Sequence, residues 1–198
     1  MKSCRNWVVT KTNIMKKTFL TFGLLIATVS SSFAQDKTVM VGGESMYPAK
    51  NIIENAVNSK DHTTLVAAVQ AAGLVETLQG KGPFTVFAPV NDAFENLPAG
   101  TVEMLLKPEN KATLTKVLTY HVVAGKMDFN TIASAIKKGG GKAEMATVSG
   151  GKLWAKMNGE HNITITDEAG NTANITTYDV YQSNGVIHVI DKVVMPKM

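Results

Sequence analysis

Gly82-Pro83-Phe84-Thr85-Val86-Phe87-Ala88-Pro89-Val90-Asn91-Asp92-Ala93-Phe94 is the stretch whose reading decides the fold. Phe84 to Ala88 is short, aromatic and β-branched, which predicts a half-buried strand. Pro89 ends it, because proline has no backbone donor to offer a ladder. Asn91 or Asp92 then stands where a cap belongs, ahead of a short helix carrying Phe94 and Leu97. A second stretch follows a hundred residues later: Asn184-Gly185-Val186-Ile187-His188-Val189-Ile190-Asp191-Lys192-Val193-Val194-Met195-Pro196. Asn184-Gly185 signals a turn. The almost unbroken apolar run behind it predicts a strand over Val186–Val194, covered on both faces and closed by Pro196. Both stretches read as scaffold, and neither holds an obvious reacting group.

Tyr120-His121-Val122-Val123 lies between them. The three segments, in this order, resemble the two homology boxes and central Tyr-His of the fasciclin-like (FAS1) domain. Phe84, Thr85, Phe87, Ala88, Pro89, Asn91, Ala93 and Phe94 carry the resemblance in the first box. Asn184, Gly185, Ile187, His188, Ile190, Asp191 and Pro196 carry it in the second. The resemblance runs from about Met46 to Pro196, nearly all the chain left after a leader. It implies an α+β fold, a β-wedge or sandwich of about seven strands with helices packed against it. It also implies an adhesion or matrix module rather than an enzyme. In animal members, a Tyr-His flanked by branched aliphatics is implicated in integrin binding, so Tyr120 and His121 are the partner contacts the resemblance names. The competing reading packs both at a helix-to-strand corner, with their polar tips on local carbonyls.

Residues 1–34 read as a leader. Met15-Lys16-Lys17 opens a basic segment, and Thr18 to Val29 is mostly apolar. That run falls short of the ~20 apolar residues a membrane span wants. Ser32-Phe33-Ala34 is a small-x-small site, so 15–34 is predicted to be a secretory signal peptide cut after Ala34. The predicted organisation is a leader (1–34), a flexible N-terminal arm (35–48) and one domain (49–198). The leader holds five of the 20 Lys+Arg and none of the 16 Asp+Glu, so the remainder is nearly balanced, fifteen against 16. The formal +4 of the whole chain therefore gives no argument for nucleic-acid binding. Cys4, the single cysteine, leaves with the leader, which removes disulfides and thiolate metal sites from consideration. No integral membrane segment is expected after cleavage.

Helical spacing begins at Asn51, with Ile52, Ile53, Ala56 and Val57 on one face. Leu65, Val66, Val69 and Ala72 repeat it, capped by Asp61 or Thr63 and stopped by Gly73. Val102 to Leu106, Leu114 to His121 and Thr131 to Lys138 give further helices. Strand-like sequence follows. Asn158-Gly159 predicts a hairpin between Lys152–Met157 and His161–Thr166, and Ala169-Gly170-Asn171 turns into Thr172–Thr177. Helices fall mostly in the N-terminal half and strands later, the order of an α+β domain.

His188 interrupts an apolar strand and reads as a hydrogen-bonded core histidine. His62 and His161 are isolated, and no histidine pair has zinc-site spacing. Lys137, Lys138 and Lys142, with Lys152 and Lys156, surround Gly139-Gly140-Gly141 and form the electrostatic candidate for a partner surface, read against a solvated loop. The sequence has no nucleophile elbow, no P-loop and no dinucleotide fingerprint. No cofactor and no metal is expected. The leading expectation is a non-catalytic, secreted, periplasmic or cell-surface protein that meets an extracellular protein, matrix or polysaccharide surface. A single module of this kind can oligomerise to strengthen weak contacts. The alternative is a periplasmic or extracellular binding protein for a small apolar or carbohydrate ligand. A hydrolase needs a titratable cluster that the sequence does not offer.

Overall fold

The computed structural model describes residues 38–197, so the leader lies outside the described residues. Its centre is a pair of parallel strands. β3 (Phe84–Pro89) and β9 (Gly185–Ile190) run side by side in register, Phe84 opposite Gly185 and Phe87 opposite His188. The two boxes, a hundred residues apart in sequence, are thus neighbours residue for residue. All of β9 is buried, as an apolar run covered on both faces should be.

Seven strands form one sheet in the order β4-β3-β9-β8-β7-β6-β5. The others are β4 (Val122–Ala124), β5 (Ala143–Ala146), β6 (Lys152–Met157), β7 (Ile163–Thr166) and β8 (Thr172–Gln182). The two outer strands approach each other: Val123 bridges to Thr147, and the Val148 N–H donates to the Val122 carbonyl at 2.8 Å. This contact nearly closes the sheet and protects edges that would otherwise pair with other chains.

Alternation along β3 and β9 divides the interior. Val86, Ala88, Ile187 and Val189 face a core built with α1 (Ile52–Ala56), α2 (Thr63–Ala72), α3 (Val75–Gln79) and α6 (Lys111–Tyr120). Phe87 and Ile190 face a second core, with Leu153, Ile163, Ile165 and the helix α7 (Phe129–Lys138). The two remaining helices, α4 (Asn91–Glu95) and α5 (Thr101–Leu105), are short and follow the first box. The helices mostly precede the strands, and the α+β wedge expected from the sequence is the fold.

Four local expectations need correction. Residues 39–46 are not a loose arm. β1 (Val39–Val41) and β2 (Glu44–Met46) form a hairpin through Gly42-Gly43, both at positive φ (60° and 77°). Such a turn fits a two-residue hairpin, and Val41 and Met46 are buried in the first core. Asn55 locks the hairpin in place: its amide exchanges hydrogen bonds with the Tyr47 backbone (3.0 and 2.8 Å) and donates to the Gln182 side chain.

Second, neither Asp61 nor Thr63 caps α2, and Asn91 does not cap α4. Asn91 reaches across the fold instead. Its Oδ1 accepts from the Thr64 N–H at 3.0 Å, and its Nδ2 donates to the Lys60 carbonyl at 2.8 Å. A cap of this kind contributes about 1 kcal/mol. Third, β7 starts at Ile163 rather than His161, because Met157 pairs with Ile163 and the Asn158 N–H donates to the Asn162 carbonyl across a longer loop. Fourth, the final ladder ends at Ile190. Val194 stays buried, but its N–H leaves the sheet to meet a side chain.

Candidate functional site

Tyr120 and His121 sit where α6 gives way to β4, and both are buried (0% and 3% exposed). The Tyr120 hydroxyl donates to the Lys152 carbonyl at 2.7 Å and accepts from the Glu168 N–H at 3.1 Å. Burial pushes its pKa up to about 12, with the Glu168 N–H opposing. His121 Nε2 accepts from the Val194 N–H at 3.2 Å, which places the ring proton on Nδ1, facing the Val117 carbonyl at 2.8 Å. Burial holds the ring neutral, with a pKa of about 4. The pair therefore joins α6, β6 and the chain's last segment. A partner that meets this conformation does not reach either side chain.

His188 makes a similar joint in the second core. It is 0% exposed. Its Nε2 donates to the Met127 carbonyl at 2.8 Å, and its Nδ1 faces the Asp179 N–H at 3.4 Å. The ring stacks on Phe87, centroids 5.7 Å apart, so the two boxes touch through this pair. Burial lowers its pKa. Asp179 is the one non-glycine residue at positive φ (55°) among the described residues. It sits where the β8–β9 register shifts, and its carboxylate accepts from the Phe129 N–H at 2.7 Å, fixing the start of α7.

The lysines are arranged differently. Lys137 and Lys138 occupy the last turn of α7, where cations complement the helix dipole. Lys142, Lys152 and Lys156 are also exposed. Lys152 pairs with Glu144 at 2.8 Å, and the two hold each other charged: the lysine pKa rises and the carboxylate pKa falls. The Lys142 ammonium lies 4.5 Å from the centre of the Trp154 ring, whose Nε1 donates to Glu144 at 3.3 Å. Residues 137–156 thus carry five lysines and one acid, and of the lysines Lys142 covers the half-exposed Trp154 ring while Lys152 pairs with Glu144.

Several structural residues had a weak sequence signal. Asp167 is buried and accepts from the Ala169, Asn171 and Met195 N–H groups, between 2.8 and 3.0 Å. Asn184 gathers three elements: it accepts from the Ile52 N–H at 3.1 Å and donates to the Leu78 and Gly80 carbonyls at 2.7 and 3.1 Å. His62, isolated in sequence, is buried with Nδ1 2.8 Å from the Ser59 hydroxyl. The Ser-x-x-His spacing, one helical turn, was the available clue.

Among the described residues, no group of three or more His, Cys, Asp or Glu is placed to hold a metal ion. No helix there is long and apolar enough to cross a membrane.

Comparison with known proteins agrees with this geometry. The fasciclin domain family matches residues 60–196. The chain is 45% identical over 193 residues to protein sll1483 of Synechocystis sp., covering 96% of this chain and 99% of that one. It is 34% identical to the immunogenic protein MPB70 of Mycobacterium bovis, over 71% of this chain and 66% of that one. With the transforming growth factor-beta-induced protein ig-h3 of Sus scrofa it shares 32% identity, over 75% of this chain but 20% of the larger protein. A solved FAS1 domain pair from the insect cell adhesion molecule fasciclin I superposes with a TM-score of 0.65 at 16% identity, covering 74% of this chain and 51% of that one. The chain belongs to the fasciclin domain family.

Proposed function

We propose that this protein is an exported, non-catalytic surface-interaction module that meets an anionic matrix or polysaccharide surface through its lysine-bearing face. The lysines of residues 137–156 carry the reading: five ammonium groups against one carboxylate within that stretch, while the rest of the domain carries more Asp+Glu than Lys+Arg. Trp154 beneath Lys142 adds a flat apolar surface suited to a sugar ring or an aliphatic stem. Membership of a family that includes an insect cell adhesion molecule supports the class. Tyr120 and His121 enter this reading as supports: Tyr120 holds β6, and with it Lys152, against α6, and His121 ties α6 to Val194. The leader signals export, and intact-mass analysis of secreted material should find residues 1–34 gone, with Gln35 first. Material retaining Thr18 to Val29 contradicts it.

Binding is tested on immobilised acidic polysaccharides and matrix proteins. Raising salt from about 50 to 500 mM shortens the screening length to roughly 4 Å. Binding carried by exposed lysines should then fall at least tenfold. Reversing Lys137 and Lys138 to Glu should weaken it at low salt without altering thermal stability by more than a few degrees. Salt-independent binding, or none to any surface, removes the lysine face from consideration.

A further inference from the structure

Asn-Gly occurs twice in the chain, at Asn158-Gly159 and Asn184-Gly185, and the fold holds the two dipeptides in opposite ways. In such a pair the glycine nitrogen can attack the side-chain carbonyl carbon of the asparagine, because no Cβ obstructs the approach and the backbone turns freely. A backbone fixed by its neighbours prevents the approach. A side-chain amide already engaged in hydrogen bonds resists it as well.

Asn158-Gly159 has neither restraint. It lies in the loop between β6 and β7, where residues 158–162 are all exposed. The Asn158 N–H donates to the Asn162 carbonyl at 2.7 Å, but among the described residues no hydrogen bond holds the Asn158 side-chain amide or the Gly159 N–H. A Cβ on Gly159 would meet no heavy atom within 4 Å, so the space beside this peptide is open. Asn184-Gly185 has both restraints. Asn184 accepts from the Ile52 N–H at 3.1 Å and donates to the Leu78 and Gly80 carbonyls at 2.7 and 3.1 Å. Gly185 is buried, pairs with Gln182 of β8 and Phe84 of β3, and has the Phe84 carbonyl oxygen 2.2 Å from where a Cβ would stand. Asn58, exposed and followed by the small Ser59, is also restrained: its Nδ2 donates to the Glu54 carbonyl at 2.8 Å, and Ser59 is buried.

We propose that Asn158 is a site of spontaneous covalent modification, deamidating through a cyclic imide formed with Gly159. The inference goes beyond the surface-interaction reading and does not depend on it. The Gly159 nitrogen gives up its proton to hydroxide and forms a bond to Asn158 Cγ. The Cγ–Nδ2 bond breaks, and the amide nitrogen takes a proton from water and leaves as ammonia. A second water opens the imide at either carbonyl, giving Asp or the isomer joined through its side-chain carboxyl. Water is the sole co-reactant, and nothing is oxidised or reduced. The product places a carboxylate two residues from Lys156, where the chain carried a neutral amide.

Trypsin releases both dipeptides in one peptide, residues 157–192, which holds no internal lysine or arginine. The folded domain and a sample in denaturing urea are incubated at mildly alkaline pH, digested against a zero-time control, and fragmented in a mass spectrometer to locate a gain of one mass unit. In the folded domain Asn158 should convert at least tenfold faster than Asn184, which reacts only in the small fraction of molecules whose β8–β9 pairing has opened. In urea the two rates should converge to within about threefold, because the flanking sequence alone no longer separates them. Conversion of Asn158 should quicken as pH rises, since the attacking nitrogen must lose its proton. Asn158→Gln, whose longer side chain closes a larger ring more slowly, should remove the fast product. Equal rates at the two sites in the folded domain overturn the proposal. So does an Asn158 that stays intact while the urea sample reacts, or a fast product that survives Asn158→Gln. The comparison of the two sites within one peptide needs no variant.

Discussion

Gly185→Ala should lower stability by about 3 kcal/mol or more, among the largest effects expected of a single methyl group here. A Cβ at this position would lie 2.2 Å from the Phe84 carbonyl oxygen and 3.0 Å from its carbon. Both obstacles are backbone, so no side chain can rotate away. Gly185 also pairs on its other flank with Gln182 of β8, which blocks a shift in that direction. The reciprocal contact is equally tight: a Cβ on Gly82 would lie 1.9 Å from the Asn184 carbonyl oxygen. The two box-opening glycines therefore let the parallel strands start at contact distance. Gly159→Ala is the control. Its φ is +83° with no heavy atom within 4 Å of the added carbon, so only backbone strain of roughly 1–2 kcal/mol applies. Urea denaturation of the three proteins measures the difference. A Gly185→Ala loss no greater than that of Gly159→Ala means the strand spacing adapts, and the close-approach argument is then wrong.

The same pair of strands shows what the sequence could and could not reveal. Each box announced its own strand, because aromatic, β-branched and continuous apolar runs are local signals. Their side-by-side register was not legible, since parallel pairing joins residues a hundred positions apart and leaves no periodic trace. The Asn91 cap was misassigned for a related reason. A cap read from sequence is assumed to serve the next helix, and this one serves a helix 27 residues earlier. The β1–β2 hairpin was legible and missed: Val39-Met40-Val41-Gly42-Gly43-Glu44-Ser45-Met46 has a two-glycine turn between short alternating segments, but three-residue strands offer little pattern to set against the flexibility glycine suggests. At the candidate sites, the exposed lysines of residues 137–156 could be read as charge without their Trp154 and Glu144 neighbours. The small apolar cavity inside the first core was invisible, because it is made by α1, α2, α3, β3 and β9 together.

Three buried histidines should make the domain lose stability steadily as pH falls from about 6.5 towards 4. His62, His121 and His188 each have a pKa lowered from the ordinary value, chiefly by burial. In that window the unfolded chain binds protons at these rings and the folded chain does not. Stability is therefore fully present above the unfolded value of 6.5 and is lost as pH falls towards the folded one. His121, at about 4 when folded, accounts for roughly 3 kcal/mol at 1.36 kcal/mol per unit. His62 and His188 add losses of the same sign. The carboxylates with lowered pKa, Asp128 and Glu144, have ordinary values of 3.8 and 4.5, so most of their contribution disappears at the lower end of the range and beyond it. Urea midpoints at pH 7, 6, 5 and 4.5 should trace the decline. His121→Gln can keep both a donor towards Val117 and an acceptor towards Val194, so it should fold, be less stable at pH 7, and show a shallower pH slope than the parent. A parent midpoint that stays level from pH 7 to 5 would mean these rings exchange protons without opening the cores. A His121→Gln slope equal to the parent's would place the proton-linked loss at other groups.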